Sequence, residues 1–122
     1  MTDNGPTKNK YDLEEQTGKF GEDIIKFAKQ LPQNVITKPL ISQLIEAATR
    51  VGANYAEADD AKSKKDFIHK IGICKKEARE TKHWLRMMVT AVPEIGEDAK
   101  ILSLEAKELN LIFNAIIRSA KK

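Results

Sequence analysis

The chain has 122 residues with a formal net charge of +3; 32% of its residues are charged and 6% are aromatic. This length suffices for one domain with a buried core and is too short for two ordinary domains. The composition favours a helical bundle over a sheet protein or a disordered chain, and no apolar run approaches the roughly 18 residues of a membrane span.

The N-terminal segment, residues 1–10, is polar and contains Gly5 and Pro6. It lacks the apolar stretch of a signal peptide, and we expect it to be a disordered tail before a single domain of residues 11–122. The one cysteine, Cys74, cannot form an intramolecular disulfide and fits a reducing compartment. We therefore expect a cytoplasmic protein.

Two helices are predicted in the first half of this domain. The first, α1, covers about residues 12–31 and ends at Pro32, which cannot continue a helix. The second, α2, covers about residues 39–58, with Pro39 in its first turn, where proline is tolerated. Small residues beside the apolar stripe of α2, such as Gly52, predict a close approach by a neighbouring helix.

Two longer helices are predicted in the second half. α3 covers about residues 64–91, with Ser63 as its N-cap, Asp66 three residues on, and Pro93 beyond its end. α4 covers about residues 97–120. The short joins force consecutive helices to be antiparallel neighbours, so the sequence predicts an all-α, up-down-up-down four-helix bundle. The stripes expected to form its core are Leu13, Thr17, Phe20, Ile24, Phe27 and Leu31 in α1; Ile41, Leu44, Ala48, Val51, Tyr55 and Ala58 in α2; Phe67, Ile71, Cys74, Ala78, Thr81, Leu85 and Met88 in α3; and Leu102, Ala106, Leu109, Phe113, Ile116 and Ala120 in α4.

One side of α3 is strongly basic. Residues 62–86 contain nine Lys or Arg against three acids, a balance of +6, so the rest of the chain is net acidic by about three charges. Four of the cations lie four, three and four positions apart: Lys75, Arg79, Lys82 and Arg86. None of these four has an acidic residue three or four positions away that could pair with it on the helix. Such a stripe is a candidate surface for phosphate backbones. The candidate nucleic-acid-binding residues, called here the basic face, are Lys64, Lys65, Lys75, Lys76, Arg79, Lys82 and Arg86.

The side of α3 away from these cations mixes apolar and acidic residues that lie outside the core stripe. An apolar ridge bordered by charge is typical of a protein interface. α4 also carries more apolar surface than one bundle face can use, at Ile101, Leu104, Leu111, Ile112 and Ile117. Both observations predict a homo-oligomer. The candidate interface residues of α3 are Ile73, Glu77, Glu80, Trp84 and Met87.

Two stretches of the chain resemble a known family. The run "LISQLIEAATRVGANYAEADDAKSKKDFIHKIGICKKEARETKHWLRMM" is similar to the core of a bacterial four-helix-bundle family with members encoded in intervening sequences of 23S ribosomal RNA genes, and "YDLEEQTGKFGEDIIKFAKQLP" is similar to its first helix. Within "ANYAEA", Asn54 and Glu57 match the family's Asn-Ile-Ala-Glu-Gly signature, while Tyr55 and Ala58 depart from it.

The resemblance implies a non-enzymatic bundle that assembles as a homopentamer. Distant relatives are accessory proteins that hold a reverse transcriptase and its RNA in diversity-generating retroelements. An RNA-handling protein of that kind is thus a further candidate partner.

The chain has few residues that could take part in catalysis or bind a metal ion. Cys74 lies in a core stripe without an activating base, and His69 and His83 are about 21 Å apart along the helix, too far to share a metal. There is no glycine-rich phosphate loop. We expect no catalytic residue, cofactor, metal or small-molecule substrate.

For the signature residues, two interpretations are open. Glu57 either pairs with Lys64 or Lys65, or holds the N-terminus of α3, which would make the pair Asn54–Glu57 structural. The alternative is a role in a ligand site or an interface.

Two functions remain open from the residues alone. The first is a homo-oligomeric adaptor that binds RNA, or an RNA-handling protein, through the basic face. The second is a structural or protein-interaction oligomer without nucleic-acid binding, in which acids of a neighbouring helix or subunit neutralise the basic face. The acids considered for that role are Asp12, Glu14, Glu15, Glu22 and Asp23.

Overall fold

The computed structural model describes residues 12–122, which form four α-helices and no strand. α1 is Leu13–Lys29, α2 is Thr37–Asp59, α3 is Lys64–Ala91 and α4 is Gly96–Ala120. None of these helices is long and apolar enough to cross a membrane. The predicted all-α, antiparallel four-helix bundle is confirmed. The tail predicted at residues 1–10 lies outside the described residues.

The helix starts follow local hydrogen bonding. The Ser63 side chain accepts a hydrogen bond from the Asp66 N–H at 3.0 Å, as predicted for the start of α3. α2 begins at Thr37, two residues earlier than expected, because the Asn34 side chain accepts a hydrogen bond from the Thr37 N–H at 2.9 Å. A short 3₁₀ turn, Pro93–Ile95, joins α3 to α4 and was not predicted.

A single apolar core fills the space between the helices. Twenty of the 25 predicted core positions are buried, and the other five are partly buried: Tyr55, Phe67, Leu102, Ile116 and Ala120. Burying one side chain of the size of Phe20 or Leu44 is worth about 1.5–3 kcal/mol. The stripes at helical spacing therefore define the side that each helix turns inward.

The order of the helices around the core determines which charges can meet. The packing is most extensive between α2 and α3, less so between α3 and α4 and then between α1 and α2, and α1 and α4 approach each other least. α1 and α2 come close at Gly52, where an added Cβ would lie 3.4 Å from the Thr17 carbonyl oxygen. In the described chain no Cα of α1 lies within 8 Å of a Cα of α3. These two helices occupy opposite corners of the bundle.

Candidate functional site

The basic face lies along the solvent side of α3. Five of its seven cations are exposed, and Lys75 and Lys82 are partly buried. None of the seven forms a salt bridge with an acid among residues 12–122. The cluster is therefore a positive surface that the rest of the described chain does not neutralise.

Lys75 differs from the other cations because two asparagines of α4 hold it. Its Nζ donates a hydrogen bond to Asn114 Oδ1 at 3.0 Å, and Asn110 Nδ2 donates one to the Lys75 carbonyl oxygen at 2.8 Å. A lysine ammonium has three donors, so two remain for a ligand. Asn110 and Asn114 were not among the predicted site residues; their four-residue spacing on the side of α4 that faces α3 is the only sequence signal for them.

A groove between α3 and α4 extends the positive surface across two helices. It has a volume of about 360 Å³, with Leu85 and Val89 among the apolar residues that line it. Lys82 and Arg86 border it on α3, and Lys100 borders it on α4. Lys100 was not among the predicted site residues, since it is brought near α3 only by the antiparallel packing of the two helices.

The acids of α1 cannot cover the basic face within one chain. α1 and α3 are at opposite corners of the bundle, with no Cα pair within 8 Å. One of the acids is already used locally, because Asp23 accepts a hydrogen bond from Lys19 in a salt bridge of 3.1 Å. Neutralisation by these acids therefore requires a second copy of the chain.

The opposite side of α3 is more involved in the fold than the sequence suggested. Glu77, placed outside the core by its spacing, is only 5% exposed, so that placement is wrong. Burial and then the nearby Glu80 carboxylate raise the pKa of Glu77 above its ordinary value. Its side chain has no hydrogen-bond or salt-bridge partner within residues 12–122.

The apolar residues of this side are only partly available to a partner. Trp84 is half-buried and packs against the core. The centroid of its ring lies 4.8 Å from the centroid of the His83 ring, in an edge-to-face arrangement. Ile73 and Met87 are half-buried, and Glu80 is exposed. The prediction that these residues form an oligomer interface remains a prediction.

The two signature residues serve local structure. Glu57 Oε1 accepts a hydrogen bond from Lys70 Nζ at 2.6 Å, which links α2 to α3; neither Lys64 nor Lys65 is its partner, contrary to expectation. Asn54 Nδ2 donates to the Arg50 carbonyl oxygen at 2.9 Å, one turn back along α2. The hydrogen bond with Glu57 raises the pKa of Lys70.

The groups considered for chemistry are the one cysteine, Cys74, and clusters of potential metal ligands. The Cys74 thiol is buried, lies 3.5 Å from the Val51 carbonyl oxygen, and has its pKa raised to about 12 by burial. At neutral pH it is therefore a protonated, unreactive thiol. No group of three or more His, Cys, Asp or Glu side chains that could hold a metal ion occurs in residues 12–122.

Comparisons with known proteins agree with this architecture. A family model described as 23S rRNA-intervening sequence protein matches residues 9–115. The chain is similar to the crystal structure of a protein with unknown function from the S23 ribosomal protein family of Bacteroides thetaiotaomicron VPI-5482. That similarity has a TM-score of 0.77 and 28% sequence identity, and it covers 86% of this chain and 97% of the other. Among curated proteins no match was found.

Proposed function

Because the chain belongs to the 23S rRNA-intervening sequence protein family, we propose that it is a homo-oligomeric helical-bundle adaptor that binds RNA through the basic face of α3. The proposal includes no catalytic step and places the protein in the cytoplasm. The observation that carries it is the set of seven cations on one side of α3, all accessible and none paired with an acid among residues 12–122.

The physical basis is the neutralisation of phosphates by Lys and Arg. Each contact releases counterions from the nucleic acid, which makes affinity strong at low salt and weak at high salt. The groove beside Lys82 and Arg86 gives the surface a shape that a flat helix face lacks. Copies of the chain in an oligomer multiply this surface.

The expected recognition is of the RNA backbone. No aromatic side chain is interleaved among the basic-face residues, so stacking on bases is not part of the proposal. Contacts to phosphates position a protein on nucleic acid without reading its sequence. We therefore expect affinity for single-stranded RNA that depends little on base composition.

One observation favours the second function, a protein-interaction oligomer without RNA binding. Glu14, Glu15 and Glu22 on α1 are exposed and form no salt bridge within residues 12–122. In an oligomer, acids of one copy could neutralise the basic face of another. An RNA-handling protein such as a reverse transcriptase is a further partner, which the family resemblance alone supports.

Charge reversal on α3 tests the proposal. Lys76, Arg79, Lys82 and Arg86 are changed to Glu; Lys75 is left intact because it is bonded to Asn114. We expect at least a tenfold loss of affinity for single-stranded RNA, and a wild-type log–log salt slope of about −0.7 for each phosphate contact.

The control variant, K26E/K38E, reverses two exposed lysines outside α3 and should retain RNA affinity. RNA binding by the quadruple variant as tight as that of the wild type would show that the basic face is not the RNA site. A wild-type protein that is monomeric at micromolar concentration would contradict the oligomeric part of the proposal.

A further inference from the structure

The outer side of α4 carries large apolar residues that no other element covers. Leu104 is 56% exposed and Leu111 is 59% exposed, and Lys100 and Lys107 are exposed between and beside them. Positions 100, 104, 107 and 111 are four, three and four apart, so their side chains follow one stripe. An exposed apolar stripe of this kind marks an interaction surface.

A groove between α1 and α2 has the opposite character. It has a volume of about 440 Å³, with Gly18, Gly52 and Ala53 among the small residues that line it. Glu15 and Glu22 also line the groove, and both are exposed.

Gly18 is the least explained residue of this groove. A Cβ added to it would meet no atom of the described chain within 4 Å. Glycine weakens a helix relative to alanine, and no contact within the described chain requires glycine here. A helix from outside the chain that packs against this position would benefit from the missing side chain.

The two surfaces match in spacing and in charge. In α4 the step from Lys100 to Leu104 is four residues and the step from Leu104 to Lys107 is three. In α1, read in the opposite direction, the step from Glu22 to Gly18 is four residues and from Gly18 to Glu15 is three. Each set spans about 10.5 Å of helix axis.

We propose that the outer stripe of α4 docks into the α1–α2 groove of a second copy of the chain, with the two helices antiparallel. Lys100 faces Glu22, Leu104 enters the gap at Gly18, and Lys107 faces Glu15. All four charged residues are free of salt bridges among residues 12–122 and are therefore available to these contacts. The inference rests on the self-association in the proposed function, and it does not depend on RNA binding.

The charge pattern identifies the partner as a second copy. One chain presents a Lys-Leu-Lys stripe and also a Glu-Gly-Glu groove with the same spacing, and the two surfaces share no residue. Such a contact is head-to-tail, so each copy both donates a stripe and accepts one, and repetition gives a closed ring or a filament. Lys100 and Leu104 also line the α3–α4 groove beside Lys82 and Arg86. None of the residues of this contact belongs to the basic face itself.

Charge exchange tests the pairing. K100E/K107E and E15K/E22K are each expected to lower the molar mass measured by sedimentation from that of the wild-type assembly to that of a monomer. The combined variant, with both pairs exchanged, should recover the wild-type mass. K38E/K62E changes the same amount of charge at exposed positions outside both surfaces and should assemble normally.

A second variant separates assembly from folding. Gly18→Leu puts a large side chain into the groove at a position where an added Cβ meets no atom of the described chain within 4 Å, and leucine favours a helix more than glycine does. The thermal midpoint of G18L, at a concentration too low for assembly, should therefore equal or exceed that of the wild type, while assembly is lost. Retention of the wild-type mass in G18L or K100E/K107E, or no recovery in the combined variant, overturns the inference and leaves RNA binding untouched. A monomeric wild-type protein overturns both the inference and the oligomeric part of the proposed function.

Discussion

The two sides of α3 differ in charge, and they differ just as much in how far they take part in the fold. The side that carries the basic face stays accessible, and within residues 12–122 its only side-chain hydrogen bond to another helix is the one between Lys75 and Asn114. The other side places Glu77 and Trp84 against α2 or the core. The basic face makes few contacts within the chain and is therefore the surface available for a ligand. Substitutions on the basic face should weaken ligand binding, whereas substitutions on the other side should lower the stability of the fold.

The largest effect is expected at Trp84. Trp84→Ala removes a half-buried ring that packs against the core, and we expect a loss of about 2 kcal/mol in the free energy of unfolding, less than the 3–5 kcal/mol of a fully buried tryptophan. Urea denaturation followed by circular dichroism measures it at a concentration where the protein is monomeric.

Met87→Ala on the same side is the matched control, because Met87 is half-buried and is not among the residues that pack against the core. It should cost clearly less. Equal losses in the two variants would mean that the contact of the tryptophan with the core adds no stability beyond that of an ordinary half-buried side chain.

The bundle was predictable because periodic apolar stripes, proline stops and a serine cap all act within one helix. The bounds of α3 agree with the expected residues 64–91, and Cys74 is buried as its stripe required. Glu77 was misplaced because a single helix does not show how widely its neighbours cover it; Glu46 and Arg50 of α2 lie close enough to influence the pKa of this buried carboxyl.

The candidate site was predictable only in part, for a related reason. The cations of α3 follow from spacing along one helix, whereas the approach of Lys100 and the asparagine contacts to Lys75 depend on how two helices are aligned. Likewise, Glu57 was expected to pair with Lys64 or Lys65 or to hold the N-terminus of α3, and its partner is Lys70, nearly two turns into that helix. The periodicity of the sequence shows which residues share one side of a helix, but only the packing of the helices shows which residues of different helices are in contact.

A smaller effect is expected where α4 holds the accessible side of α3. Asn110→Ala removes the hydrogen bond from Asn110 Nδ2 to the Lys75 carbonyl oxygen. The expected loss is about 1 kcal/mol in the free energy of unfolding, the usual net value of one hydrogen bond. Because the basic-face side chains are unchanged, RNA affinity should remain within about twofold of the wild type. If Asn110→Ala lowered the free energy of RNA binding by more than it lowers the free energy of unfolding, the asparagine contacts would be shown to position Lys75 for its ligand.

The smallest effect, and the one with the clearest pH dependence, is expected at Glu77. Because its pKa is raised in the folded state above the ordinary value of 4.5, the folded protein binds this proton more tightly than the unfolded chain does. The group's contribution to stability is therefore complete below pH 4.5 and is lost as pH rises through the raised folded pKa. Glu77→Gln keeps the shape and removes this titration, so the variant should gain less than about 1 kcal/mol over the wild type at pH 7 and nothing at pH 4.

The surrounding charges are the same in both proteins: Glu46 and Glu80 raise the pKa of Glu77, while Lys76 and Arg50 lower it. Denaturation at several pH values between 4 and 7 measures the difference in the free energy of unfolding between E77Q and the wild type. Glu108→Gln, at an exposed position, controls for the loss of one surface carboxylate. If E77Q were less stable than the wild type at pH 7, the carboxylate would have a stabilising partner. That partner would have to be sought in an assembly, where a donor from another copy could reach Glu77.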